Sequence, residues 1–255
     1  MKIKFLGSLL VFLALAALVP FASAQDAEVQ SGDIDVTSAD KAYKSYLAAP
    51  TSAGPHPAIV LIHSFRGLEE GYRTMTDQLA ARGFVTLAVG WQTFEQSPSD
   101  EVVKQLVNDS IALLSAREDV DPERIGLTGF CAGGRYTMLF MPQINTFKAG
   151  VAWYGFPNNA GTSQAPKDLI SDLKMPMLII HGTEDQPSPI ATIYDYATAL
   201  QAAKSPFEMK IYAGEPHGFM LQNGQLRQDD VGKDAFNEMA DYFTRKLAAE
   251  PAASS

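Results

Sequence analysis

Cysteine is almost absent: Cys131 is the only one in 255 residues. An internal disulfide is therefore impossible, and C-x-x-C metal or redox motifs are excluded. Histidine is scarce too. His56, His63, His181 and His217 fall on separate stretches with no H-x-x-x-H spacing, so no metal site is expected. Positive charge is short as well, with 20 Lys and Arg against 29 Asp and Glu and a net charge of −9. Such a surface repels phosphate backbones and anionic membranes, which excludes nucleic acid as an expected partner. No internal repeat and no long low-complexity segment is found, so one domain is expected for the folded part. Hydrophobic residues, at 46%, suffice for a sizeable core.

What is present begins with an apolar run from Phe5 to Val19, preceded by Lys2 and Lys4 and followed by Ala22-Ser23-Ala24. A basic start, a short apolar stretch and a small-x-small site make residues 1–24 a signal peptide, with the exported mature chain starting at Gln25. The run stops at Pro20, too early for a full membrane span; an uncleaved anchor is the alternative. No cysteine follows the run, so a lipobox is excluded. The expected location is periplasmic or extracellular, with no membrane contact after cleavage. A lone thiol in an exported protein is buried, held in a mixed disulfide, or kept for chemistry.

Residues 25–57 read as a lead-in with one or two edge strands, and Pro50 to Pro57 as a turn-rich break. From 58 to 247, strands and helices alternate. Ala58–Ile62, Phe84–Val89, Ile125–Thr128, Ala149–Tyr154, Met177–His181 and Phe207–Tyr212 are apolar runs of strand length. Gly71–Arg82, Asp100–Arg117, Ile190–Ala203 and Gly232–Leu247 have helical spacing, and a further helix follows Cys131. This order predicts an α/β fold with a mostly parallel central sheet and helices on both faces. Residues 248–255 read as a frayed tail. In such a sheet, reactive groups gather past the carboxyl ends of strands.

Three stretches sit there. Gly129-Phe130-Cys131-Ala132-Gly133-Gly134 reads as a nucleophile elbow with sulfur in place of a hydroxyl. Its cysteine would sit at a helix N-terminus, which favours a thiolate. A buried structural cysteine is the plain alternative. His181-Gly182-Thr183-Glu184-Asp185 follows the next strand but one and supplies an acid, Asp185, with Glu184 as its rival. Glu215-Pro216-His217-Gly218-Phe219 follows the last strand. Nucleophile, acid, histidine is the chain order of an α/β-hydrolase triad. In that arrangement His217 takes and returns a proton, and Asp185 fixes its tautomer. His63 and His181 read as loop and backbone partners, and His56 as an exposed turn residue.

Together these motifs make residues 40–247 resemble the dienelactone hydrolase family of α/β-hydrolases. The resemblance implies Cys131 as nucleophile, Asp185 and His217 as its partners, and acyl transfer through a thioester. It also implies an ester or lactone as the small-molecule substrate, with no metal and no organic cofactor. Backbone N–H groups of Ala132 and, by resemblance, Phe65 would form the oxyanion hole. Three departures from the family stand out. Ser64 occupies the place of a glutamate that contacts the resting thiol, so direct pairing of Cys131 with His217 is expected instead. Leu221 and the stretch Val89-Gly90-Trp91-Gln92 replace arginines that hold a substrate carboxylate. Arg66 and Arg135 are the candidate substitutes, with a salt bridge as the alternative for Arg135. Trp91 is a candidate pocket wall. A non-enzymatic binding protein on a degenerate hydrolase fold, or a redox-reactive thiol, are the competing functions.

Overall fold

In the computed structural model, which describes residues 27–249, eight strands form one sheet in the order β1-β2-β4-β3-β5-β6-β7-β8. The predicted signal peptide and residues 250–255 of the predicted tail lie outside the described residues. The first two strands, β1 (Val29–Ser38) and β2 (Lys41–Pro50), form an antiparallel hairpin at the sheet edge. β2 also pairs antiparallel with β4 (Val85–Val89), so the lead-in is woven into the same sheet. β3 (His56–Ile62), β4, β5 (Val120–Phe130), β6 (Phe147–Trp153), β7 (Met177–Gly182) and β8 (Phe207–Tyr212) run parallel. His56 starts β3 and its Nε2 meets the Ser52 carbonyl oxygen, rather than lying free in a turn.

The parallel strands read as unbroken apolar runs because both faces are covered. Ile59 and Leu61 pack on one face with Tyr72, Met75 and Leu79 of α1 (Glu70–Ala81) and with Phe236, Met239 and Phe243 of α5 (Asp230–Lys246). Ala58, Val60 and Ile62 point the other way, into a core completed by α2 (Asp100–Ser115), α3 (Ala132–Phe140) and α4 (Ile190–Ala202). Val103, Leu106, Val107, Ile111 and Leu114 form the buried stripe of α2, as their spacing predicts. Local chemistry sets the helix ends. The Ser99 side chain accepts from the Val102 N–H and the Asp229 side chain from the Gly232 N–H, each capping a helix. Gly83, at φ +94°, ends the turn after α1.

Two short elements escape periodicity: a 3-10 helix at Pro166–Asp172 and a hairpin of β9 (Leu221–Gln222) and β10 (Gln225–Leu226). β3 has β4 on one side and β5 on the other, so the strand order reverses there. A crevice opens above such a switch point. The segments leaving β3 and β5 carry Phe65 and Cys131. No helix among the described residues is long and apolar enough to cross a membrane.

Candidate active site

Cys131 stands between the end of β5 and the start of α3 with φ +58° and ψ −111°, a backbone region that side chains rarely adopt. Its neighbours hold it there. The Cys131 N–H donates to the Trp153 carbonyl at 3.1 Å, and its own carbonyl accepts from the Arg135 N–H at 2.9 Å. Strand and helix approach so closely that a Cβ on Gly129 would lie 2.1 Å from the Gly133 carbonyl oxygen. A Cβ on Gly133 would lie 2.0 Å from the carbonyl oxygen of Ile62. Gly129 and Gly133 of the elbow motif are thus required by space. Cys131 is half-buried and lines a cleft of about 360 Å³, rather than lying sealed in the core.

The acid and the histidine converge on the same rim. His217 Nδ1 donates to Asp185 Oδ2 at 2.8 Å, while Asp185 Oδ1 accepts from the Ser188 N–H at 2.7 Å. Asp185 is buried, whereas Glu184 is exposed and meets the histidine loop only through its backbone N–H, which donates to Glu215. His181 lies below. Its Nε2 meets the Ser188 carbonyl at 2.8 Å and stands 3.4 Å from Asp185 Oδ2, so two imidazoles flank one carboxylate. Burial holds His181 below its ordinary pKa, and it stays neutral beside the carboxylate.

His217 moves the other way. Burial opposes its charge, yet the Asp185 hydrogen bond and the Cys131 sulfur outweigh that cost and hold its pKa at about 9. Its Nε2 is buried without a hydrogen-bond partner among the described residues, so the contact with Cys131 stops short of full hydrogen-bond geometry. Tyr154, itself at φ +35°, lays its ring edge-on to His217 at 5.1 Å, and Phe156 flanks the imidazole at 5.4 Å.

The loop after β3 closes the other side. Ser64 is buried, and its Oγ accepts from the Arg66 N–H at 3.2 Å. The Phe65 carbonyl accepts from Gln92 Nε2 at 3.1 Å and Gln96 Nε2 at 2.9 Å, which fixes this peptide. Among the described residues, no partner takes the N–H of Phe65 or of Ala132, and both residues line the cleft. His63 supports the loop. Burial drives its pKa down to about 4 against the opposing hydrogen bond to Ser64. Its ring stacks on Trp91 at 5.4 Å and its carbonyl accepts from Trp91 Nε1 at 3.1 Å. Trp91 is held rigid as one wall of the cleft.

The two candidate arginines are placed differently from their expected use. Arg66 is 78% exposed, 3.8 Å from Glu69, and is not among the cleft walls. Arg135 reaches the cleft, but its guanidinium forms a two-pronged salt bridge with Asp100 at 2.8 and 2.7 Å. The salt-bridge alternative is the one the fold builds, because a cation near the start of α3 needs an anion to offset the helix dipole. Tyr136, Phe156, Pro98 and Thr162 complete the walls. They come from two loops and one helix, and no motif in the sequence marks them.

The profile of the dienelactone hydrolase family matches residues 43–247. A Methylorubrum extorquens protein named "Putative carboxymethylenebutenolidase" is 30% identical over 233 residues, covering 84% of this chain and 80% of that protein. A Bradyrhizobium protein named "Probable 2-oxo-3-(5-oxofuran-2-ylidene)propanoate lactonase" is 23% identical, covering 85% of this chain and 95% of its own length. The crystal structure of a "Putative Dienelactone Hydrolase" from Klebsiella pneumoniae superimposes with a TM-score of 0.78 at 25% identity, over 86% of this chain and 99% of that one. The matched span contains the whole parallel sheet and every residue of the cleft. The chain therefore belongs to the dienelactone hydrolase family, α/β-hydrolases that act on ester and lactone bonds.

Proposed function

We propose that this chain hydrolyses carboxylic esters or lactones with Cys131 as nucleophile, His217 as acid and base, and Asp185 as the orienting carboxylate. The observation that carries the reading is the 2.8 Å bond from His217 Nδ1 to Asp185, which leaves Nε2 buried and unpartnered beside a strained cysteine. Asp185 fixes the tautomer and favours the imidazolium, so one proton is shared between Nε2 and the sulfur. The sulfur attacks the carbonyl carbon. The oxygen that gains charge is met by the free N–H groups of Phe65 and Ala132, which need no reorganisation. As the tetrahedral species collapses, the carbon–oxygen bond to the leaving alkoxide breaks, and Nε2 gives that oxygen its proton. A thioester remains. Water then loses a proton to Nε2 as it attacks, and the thiolate departs to restore the pair.

The test is a panel of short acyl esters and lactones with the full-length protein, run beside Cys131→Ala. Turnover that the substitution and a thiol alkylator both abolish supports the reading, and turnover unaffected by Cys131→Ala overturns it. Export follows from the basic start, apolar run and Ala22-Ser23-Ala24 site. Expressed with a secretion apparatus, the chain should be recovered outside the cytoplasm with Gln25 as its first residue; an intact Met1 start in the cytoplasm contradicts export.

A further inference from the structure

The cleft holds one opposed pair of charges, and that pair is closed on itself. Arg135 and Asp100 have side chains only 6% and 5% exposed. Besides its two bonds to Asp100, Arg135 donates from Nε to the Asn159 carbonyl at 2.8 Å and from Nη2 to the Ala160 carbonyl at 2.8 Å. Asp100 Oδ2 accepts from Ser163 Oγ at 2.6 Å and from the N–H groups of Ser163 and Thr162 at 3.2 and 3.3 Å. The 159–163 loop is therefore wrapped around the pair. Gly161 sits so close that a Cβ there would lie 2.2 Å from Arg135 Nη2. Among the described residues, Arg135 is the only Lys or Arg that lines the cleft, and its charge is taken up by Asp100. The remaining walls are mainly Phe65, Trp91, Pro98, Tyr136 and Phe156.

We propose that the closed Arg135–Asp100 pair makes this site selective for esters and lactones whose acyl portion is uncharged. The proposal rests on the hydrolase reading above. A carboxylate entering the cleft would give up water against aromatic walls and find no guanidinium free to receive it. Asp100 stays ionised and so keeps the guanidinium occupied: burial alone would raise its pKa, but hydrogen bonds from Arg135 and Ser163 hold it below the usual carboxylate range. An uncharged acyl group meets none of these costs and gains apolar contact. The net charge of −9 works in the same direction by slowing the approach of anions.

A matched pair of substrates tests this: mono-p-nitrophenyl glutarate and its methyl ester, which differ in one negative charge. With the full-length protein, kcat/KM should favour the methyl ester by at least 30-fold. Asp100→Asn, which leaves the Arg135 charge uncompensated, should narrow that ratio at least fivefold. Ser97→Lys should narrow it as well, since Ser97 is an exposed residue on the rim and the substitution does not touch the pair; this variant carries the test if Asp100→Asn does not fold. A wild-type ratio within threefold overturns the proposal, as does a ratio unmoved in the folded variants. Turnover of neither ester is a distinct result that overturns the hydrolase reading and takes the proposal with it.

Discussion

His217 meets Asp185 at 2.8 Å, and the proposed mechanism routes both proton transfers through this imidazole. Its ordinary pKa near 6.5 rises to about 9 in the fold. A raised value means that the charged form is favoured in the native state. The resulting stability is fully present below pH 6.5 and is lost as pH climbs through about 9. Urea midpoints compared at pH 6 and pH 9.5 should therefore fall further for the wild type than for His217→Gln. In the proposed mechanism the same proton serves the leaving group, so kcat/KM should decline above about pH 9. In Asp185→Asn the amide cannot support an imidazolium. That variant should lose roughly 10³–10⁴-fold in kcat and show its alkaline decline at lower pH, measured as full pH–rate profiles. An alkaline limb that stays in place would contradict the role given to Asp185.

The elbow is the element on which geometry depends most. The conformation of Cys131 exists because β5 and α3 nearly touch and because α3 passes close to the end of β3. Gly133→Ala would place a methyl 2.0 Å from the Ile62 carbonyl oxygen, a rigid strand atom that cannot yield. The expected cost is roughly 2 kcal/mol or more of unfolding free energy, read from denaturant curves. Gly32→Ala is the control. A Cβ at Gly32 in the edge hairpin meets nothing within 4 Å, and the change should stay within about 0.5 kcal/mol. Both glycines were visible in the sequence, but only the elbow pattern around Cys131 said which one was crowded. Helices and parallel strands were legible for a related reason: a core on both sheet faces imposes continuous apolar strands and striped helices. The 3-10 helix and the β9–β10 hairpin were not, because segments this short have no period to read.

At the scale of the whole molecule, the histidine loop is tied to the C-terminal segment. Arg227, just after β10, bonds Glu215 through Nη1 at 2.5 Å and Nη2 at 3.2 Å, and also reaches Asp229 at the cap of α5. Glu215 lies two residues before His217, and its carbonyl receives the Glu184 N–H from the acid loop at 3.0 Å. One cation thus joins the α5 cap, the histidine loop and, through it, the acid loop. Arg227→Met should lower kcat about tenfold with KM little changed, and reduce stability by roughly 2 kcal/mol because Glu215 is left without its partner. Steady-state kinetics and urea titration check this, and removing Glu215 as well should recover part of the stability.

The sequence by itself determined the strand–helix alternation, the sulfur at the elbow, and the acid and histidine past strand ends, because periodicity and motif spacing are local properties of a chain. Tertiary structure alone decided which carboxylate faces His217, that Arg135 is neutralised by Asp100 from a helix 35 residues away, and which side chains wall the cleft. Those outcomes depend on distances between segments remote in sequence, and folding sets them only when the sheet brings its strand ends to one rim.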